Sequence, residues 1–168
     1  MIIIYIVSLF NVISPNYNKT ITEKGRMTLL LRTFFVYGTL MTGCTNHHVI
    51  GTEAIERIVR AKMHNVDLYM YDKSYFPCMI AGQGEVTGEL VTIKEHAFEK
   101  IIARMDRLEG YISPNNPKNF YDRIIMQAED DHGEIVEAYC YVYNTANGQL
   151  GEKIADGDFK CYVRTRGK

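Results

Sequence analysis

Glu109 is the carboxylate whose sequence context best suits it to carry a proton. It ends an apolar, helix-patterned run, between Leu108 and Gly110-Tyr111. A carboxylate at the C-terminal end of a helix feels the negative pole of the macrodipole, and partial burial penalises its charged form further. Both effects raise its pKa towards neutrality, where a glutamate can act as general acid or base. A solvated glutamate beside a helix cap has the same local sequence. A complementary feature stands at 34–41, FFVYGTLM. There an apolar run meets Gly38, whose missing Cβ permits positive φ and close backbone approach to a ligand. The amides of Gly38, Thr39 and Leu40 could then point outward together as a nest for an anion, with the Thr39 hydroxyl beside them. A buried edge followed by an ordinary turn fits those residues too. Tyr121 and Arg123 alternate on a strand-like run and so share a face. Tyr121 could hold a substrate group by its hydroxyl and Arg123 could pair an acid, although packing and ion pairing are commoner uses of both.

Other chemistries lack their residues. There is no G-x-S-x-G, and no cysteine context that would depress a thiol pKa, which argues against covalent catalysis. No phosphate loop with its lysine is present, and the glycines at 82–88 have the wrong spacing for a dinucleotide fingerprint. Cys44, Cys78, Cys140 and Cys161 are widely separated, as expected of reduced thiols in a cytoplasmic protein rather than a disulfide framework or zinc site. His47-His48 is not joined to a ligand pattern, so a metal site is not expected. A net charge of −1 and a pI near 6.5, with no basic stripe, exclude nucleic acid as a main partner. Residues 1–14 are strongly apolar but shorter than the roughly twenty residues a bilayer span needs. Stable membrane insertion is not expected, and surface anchoring is the lesser alternative.

These residues must be positioned by one domain, to judge from 168 residues with 46% apolar and 23% charged content. Residues 1–26 read as an extension, disordered or dispensable, with the folded domain at 27–168. A buried strand is expected at 34–37, a helical turn at 47–50 and a strand within 53–71, strongest at 66–71. A proline-locked turn at 75–79 and a second flexible turn at 81–84 should follow. Alternation at 85–93 predicts a strand, with Gly88 as a bulge or close-approach point. The helix is expected over 94–108, where Phe98, Ile101, Ile102, Met105 and Leu108 form one stripe, and Gly110 should end it. A loop at 112–120 leads to a hairpin of 121–127 and 134–143 around the acidic turn 130–133. The tail reads as loop, with a basic end.

Taken in register, these pieces resemble a family. Y-G-T-L at 37–40, F-P-C-M at 76–79, V-T-G-E-L at 86–90, M-D-R-L-E-G-Y at 105–111 and Y-D-R at 121–123 resemble the gamma-glutamyl cyclotransferase-like proteins, especially the gamma-glutamylamine cyclotransferase and small bacterial branch. Gly157-Asp158-Phe159 is similar to the closing segment of that branch, and the likeness runs from about 33 to 164. The resemblance implies an α+β fold, a small mixed barrel-like sheet with one main helix, short helices and a cavity at its mouth. It implies that Tyr37, Gly38, Thr39 and Leu40 bind a γ-glutamyl moiety, largely through backbone groups, and that Glu109 carries the proton. The implied reaction closes 5-oxoproline by attack of the substrate's own α-amine, without metal or cofactor, in a monomer or weak homo-oligomer. A non-catalytic binding domain of the same fold is the alternative, and an enzyme acting on another amide a third reading. Three departures bear on substrate: Leu40 where members acting on larger peptides often carry asparagine, Cys78-Met79 after the proline, and the long 112–120 loop.

Overall fold

The computed structural model describes residues 31–72, 75–148 and 150–166. The proposed extension at 1–26, and the start of the domain at 27–30, lie outside the described residues. The first strand, β1 (Thr33–Val36), is short because Gly38 follows at once, and its Phe34, Phe35 and Val36 are all buried. It sits between β3 (Pro77–Ile93), to which it is antiparallel, and β5 (Ile135–Tyr143), to which it is parallel. Around this centre the order β3-β1-β5-β4-β2, with β4 (Tyr121–Asp130) and β2 (Ile55–Tyr71), closes because β2 also pairs with β3. The result is a closed five-stranded mixed barrel. A sixth strand, β6 (Leu150–Lys153), extends the sheet from β2.

The 12-residue helix α1 (Phe98–Glu109) lies against β1, β5 and β4. Its Ile101 and Met105 are buried, and Phe98 meets Phe34 and Tyr139 with ring centroids 6.0 and 6.2 Å apart. Asp106 ties the helix to the sheet, accepting from Tyr141 Oη at 2.7 Å and from Arg123 Nη1 at 3.0 Å. Gly110 ends the helix at φ +63°, in the left-handed region that glycine tolerates. One turn of 3-10 helix, Glu95–Ala97, precedes α1, so the α-helix starts at Phe98, the first residue of the apolar stripe, rather than at the expected 94.

The largest departure from expectation lies in β2 and β3. Residues 81–84 make no turn, and Pro77–Met79 are already strand: 77–93 is one continuous element. Gly82 and Gly84 are needed for clearance instead, since a Cβ at either would collide with the Asp67 side chain across the ladder. β2 is equally long, and its alternation changes phase at Asn65 (φ +60°), where the register shifts. Met63 and Val66 are therefore both buried although they are three apart. Gly88 is indeed a point of close approach, against the Val36 carbonyl and the Phe35 ring. The hairpin β4–β5 forms as expected, though longer, and its turn includes Gly133. The tail holds two elements that the sequence did not suggest, β6 and α2 (Phe159–Arg166).

Candidate active site

The turn after β1 and the end of α1 meet at one mouth of the barrel. Tyr37, Gly38, Thr39, Leu40, Glu109 and Tyr121 all line one cavity of about 230 Å³. Phe76 and Pro77, from the F-P-C-M motif, complete much of its wall with Asn46, Phe120 and Tyr141, none of which the pattern of the sequence had singled out. Tyr141 could have been found, because it lies on the same face of β5 as Tyr139 and Tyr143. Asn46 carries no such signal.

The turn is built from its own backbone. Met41 N–H donates to the Gly38 carbonyl at 3.0 Å, and Asn46 binds Thr39 twice, backbone to backbone at 2.9 Å and Nδ2 to Oγ1 at 3.0 Å. The amides of Gly38, Thr39 and Leu40 donate to no group among the described residues. Like the first amides of a helix, they are donors awaiting an acceptor. Gly38 does not use positive φ. It is required because a Cβ there would lie 2.7 Å from Pro77 Cγ, so the residue accommodates the opposite wall rather than a ligand.

A buried acid anchors this turn from below. Glu89, 8% exposed, accepts from Thr42 N at 2.8 Å, Thr42 Oγ1 at 2.9 Å and Lys160 Nζ at 2.7 Å. Burial alone would raise the Glu89 pKa, but these donors outweigh it and hold the group below the usual carboxylate value.

Glu109 is placed differently. It is partly buried, at the cavity wall, and has neither a hydrogen-bond donor nor a cation beside it among the described residues. Burial lifts its pKa from 4.5 to about 7. The hydroxyls nearby are committed elsewhere: Tyr37 donates to the Tyr141 carbonyl at 2.7 Å, and Tyr121 to the Pro77 carbonyl at 2.9 Å. Burial raises both phenols well above the usual value, so they remain neutral donors. Cys78 lies beneath, its Sγ 3.6 Å from Tyr121 Oη, and burial pushes its thiol up to about 11. A thiol so raised is not a nucleophile near neutrality. Arg123 shares a face with Tyr121 as expected, but it pairs with Asp106 and stacks 4.8 Å from the Tyr111 ring centroid, outside the cavity lining.

The loop at 112–120 is held by Asn119, which is fully buried. It accepts from Ile112 N at 2.8 Å and donates to the Ser113 carbonyl at 2.8 Å and to Asp122 Oδ1 at 2.7 Å. All four cysteines are free thiols. Among the described residues, no helix is long and apolar enough to cross a membrane.

The chain is similar to several known proteins. The chain is 26% identical over 130 residues to gamma-L-glutamyl-butirosin B gamma-glutamyl cyclotransferase from Niallia circulans, covering 77% of this chain and 78% of that protein. An uncharacterized protein from Pyrococcus horikoshii superposes with a TM-score of 0.57 at 19% identity, covering 80% of this chain and 94% of that one. An AIG2-like protein from Mus musculus does so with a TM-score of 0.51 at 20% identity, covering 73% and 85%. These two likenesses speak for the fold. A family model described as gamma-glutamyl cyclotransferase, AIG2-like, matches residues 34–161, from β1 into α2, and the chain belongs to that family.

Proposed function

We propose that the protein is a cyclotransferase that releases 5-oxoproline from a γ-glutamyl amine or short γ-glutamyl peptide. One observation carries this reading: a carboxylate with a pKa of about 7 shares a small cavity with backbone amides, and neither has a partner among the described residues. The amides of Gly38, Thr39 and Leu40 receive the anionic end of the γ-glutamyl group or the developing oxyanion. Tyr37 and Tyr121 shape the pocket that binds this group. Glu109 takes a proton from the substrate's α-ammonium. The freed amine nitrogen attacks the γ-carbonyl carbon, forming the ring C–N bond. Glu109 then returns the proton to the departing nitrogen as the old C–N bond breaks. Nucleophile and electrophile belong to one molecule, so the protein has chiefly to hold the chain in its cyclising conformation.

The cavity residues offer no second nucleophile, and the transfer is balanced without any co-reactant. The test is 5-oxoproline release from a panel of γ-glutamyl compounds by the wild type and by Glu109→Gln. Loss of a general acid–base lowers kcat by about a hundredfold or more. Equal release by the variant removes Glu109 from the mechanism, and no release from any compound by the wild type favours a non-catalytic binding domain.

A further inference from the structure

We propose that the groove between the 42–45 turn and α2 binds the leaving-group amine, and that it suits a bulky, uncharged amine with an apolar or aromatic body. This rests on the cyclotransferase reading above and names the substrate class it had left open. The catalytic cavity, about 230 Å³, falls below the roughly 300–1,000 Å³ of pockets that enclose drug-sized ligands. It can take a glutamyl head and little more. The adjoining groove has a volume of about 1000 Å³.

The two spaces adjoin at the turn after β1. Thr39 lines both. Tyr71, in the groove wall, stacks on Phe76 with centroids 4.9 Å apart and meets the edge of Phe120 at 5.4 Å, and both phenylalanines line the catalytic cavity. A substrate cyclised beside Thr39 is thus within reach of this groove for its leaving group.

Its chemistry selects the amine. The cations lining it are largely spoken for: Lys160 pairs with Glu89 at 2.7 Å and Arg166 with Glu152 at 2.5 Å. Arg164 and Asp72 add one charge of each sign. Counting Glu89 behind Lys160, three cations face three carboxylates, so the groove has no charge excess to draw a strongly charged leaving group. What the walls do present is Tyr71, Tyr75 and Tyr162 with Phe159, Met70 and Val163. Tyr75 is 93% exposed, an aromatic ring left in water at the groove rim, as expected where a ligand surface completes the burial.

The experiment measures binding, so it does not depend on turnover. In the full-length Glu109→Gln protein, calorimetry gives Kd for γ-glutamyl methylamide and for γ-glutamyl-phenylalaninamide, a small and a bulky uncharged amide. Val163→Trp fills the groove from α2, and Thr45→Trp fills it from the opposite wall. Both sites are solvent-exposed, which keeps the fold tolerant of the change, and circular dichroism checks it. The expected result is tighter binding of the bulky amide in the parent, and a rise of about tenfold in the bulky-to-small Kd ratio with either tryptophan. An unchanged ratio in both variants overturns the groove assignment while leaving the cyclotransferase reading intact. Failure of the parent to bind either amide overturns both.

Discussion

At the residue scale, the two acids of the turn and the helix end show how placement decides protonation. Glu89 is nearly dry yet surrounded by donors, and is held ionised. Glu109 has no donor among the described residues, and burial pushes it up to about 7. The consequence for catalysis is a pH profile. If the ionised form of Glu109 starts the reaction, kcat/KM rises with pH along an acid limb whose midpoint lies near 7. That limb is absent in Glu109→Gln, which stopped-point assays of 5-oxoproline across pH 5–9 would read. The consequence for stability has the opposite sign. The folded state keeps the Glu109 proton longer than the unfolded chain does. Its contribution is therefore full below the ordinary value of 4.5 and is lost as pH rises through about 7. Above neutrality the ionised, unpartnered group costs up to roughly 3 kcal/mol. Glu109→Gln should thus be more stable than the wild type at pH 8, by about 1–3 kcal/mol, and equal to it near pH 4. Urea denaturation at the two pH values makes the comparison, and a variant that is less stable at pH 8 refutes the burial argument.

At the element scale, α1 delivers Glu109 only because its penultimate turn is bolted to the sheet. Asp106 takes donors from β4 and β5 together, through Arg123 and Tyr141. Asp106→Ala leaves a partly buried guanidinium and phenol without their acceptor, at a cost of roughly 2 kcal/mol in urea denaturation. Asp106→Asn, which keeps an acceptor for the Tyr141 hydroxyl, should recover part of that loss. The turn after β1 has its own constraint in Pro77. Gly38→Ala forces the turn or the proline to move by several tenths of an ångström, because the added methyl would sit 2.7 Å from Cγ. About 1–3 kcal/mol of overpacking strain should appear. Since that displacement falls on the cradle and not on Glu109, KM should rise more than kcat falls.

At the scale of the whole molecule, the closing segment completes the barrel end. Thr87 N–H donates to the Gly157 carbonyl at 3.0 Å, and Ile154 N–H to the Leu68 carbonyl at 2.8 Å, so the tail is laid across β3 and β2 at once. Gly157 sits at φ +63° with the Glu85 carbonyl where a Cβ would go. Gly157→Ala should destabilise the protein by at least about 2 kcal/mol, from the left-handed backbone and the collision together. A melting temperature within error of the wild type would show that the tail is dispensable to the barrel. Lys160, delivered by this segment, reaches Glu89 under the catalytic turn, which makes the tail part of the site's support.

Local sequence carried much of this. The run FFV into Gly38 fixed a buried strand and a turn, the stripe from Phe98 to Leu108 fixed a helix ending in glycine, and Glu109 stood out at its end, because side-chain periodicity and backbone steric rules act over a few residues. The same local rules misread Gly82 and Gly84 as a turn. Their reason is Asp67 on the neighbouring strand, some fifteen residues away in sequence. They also missed Asn46, Tyr141, Glu89 and α2, whose roles exist only once the barrel closes. Tertiary structure alone decided that Glu109 would lack a partner while Glu89 would have three donors, since desolvation and hydrogen bonding are set by what the rest of the chain brings alongside.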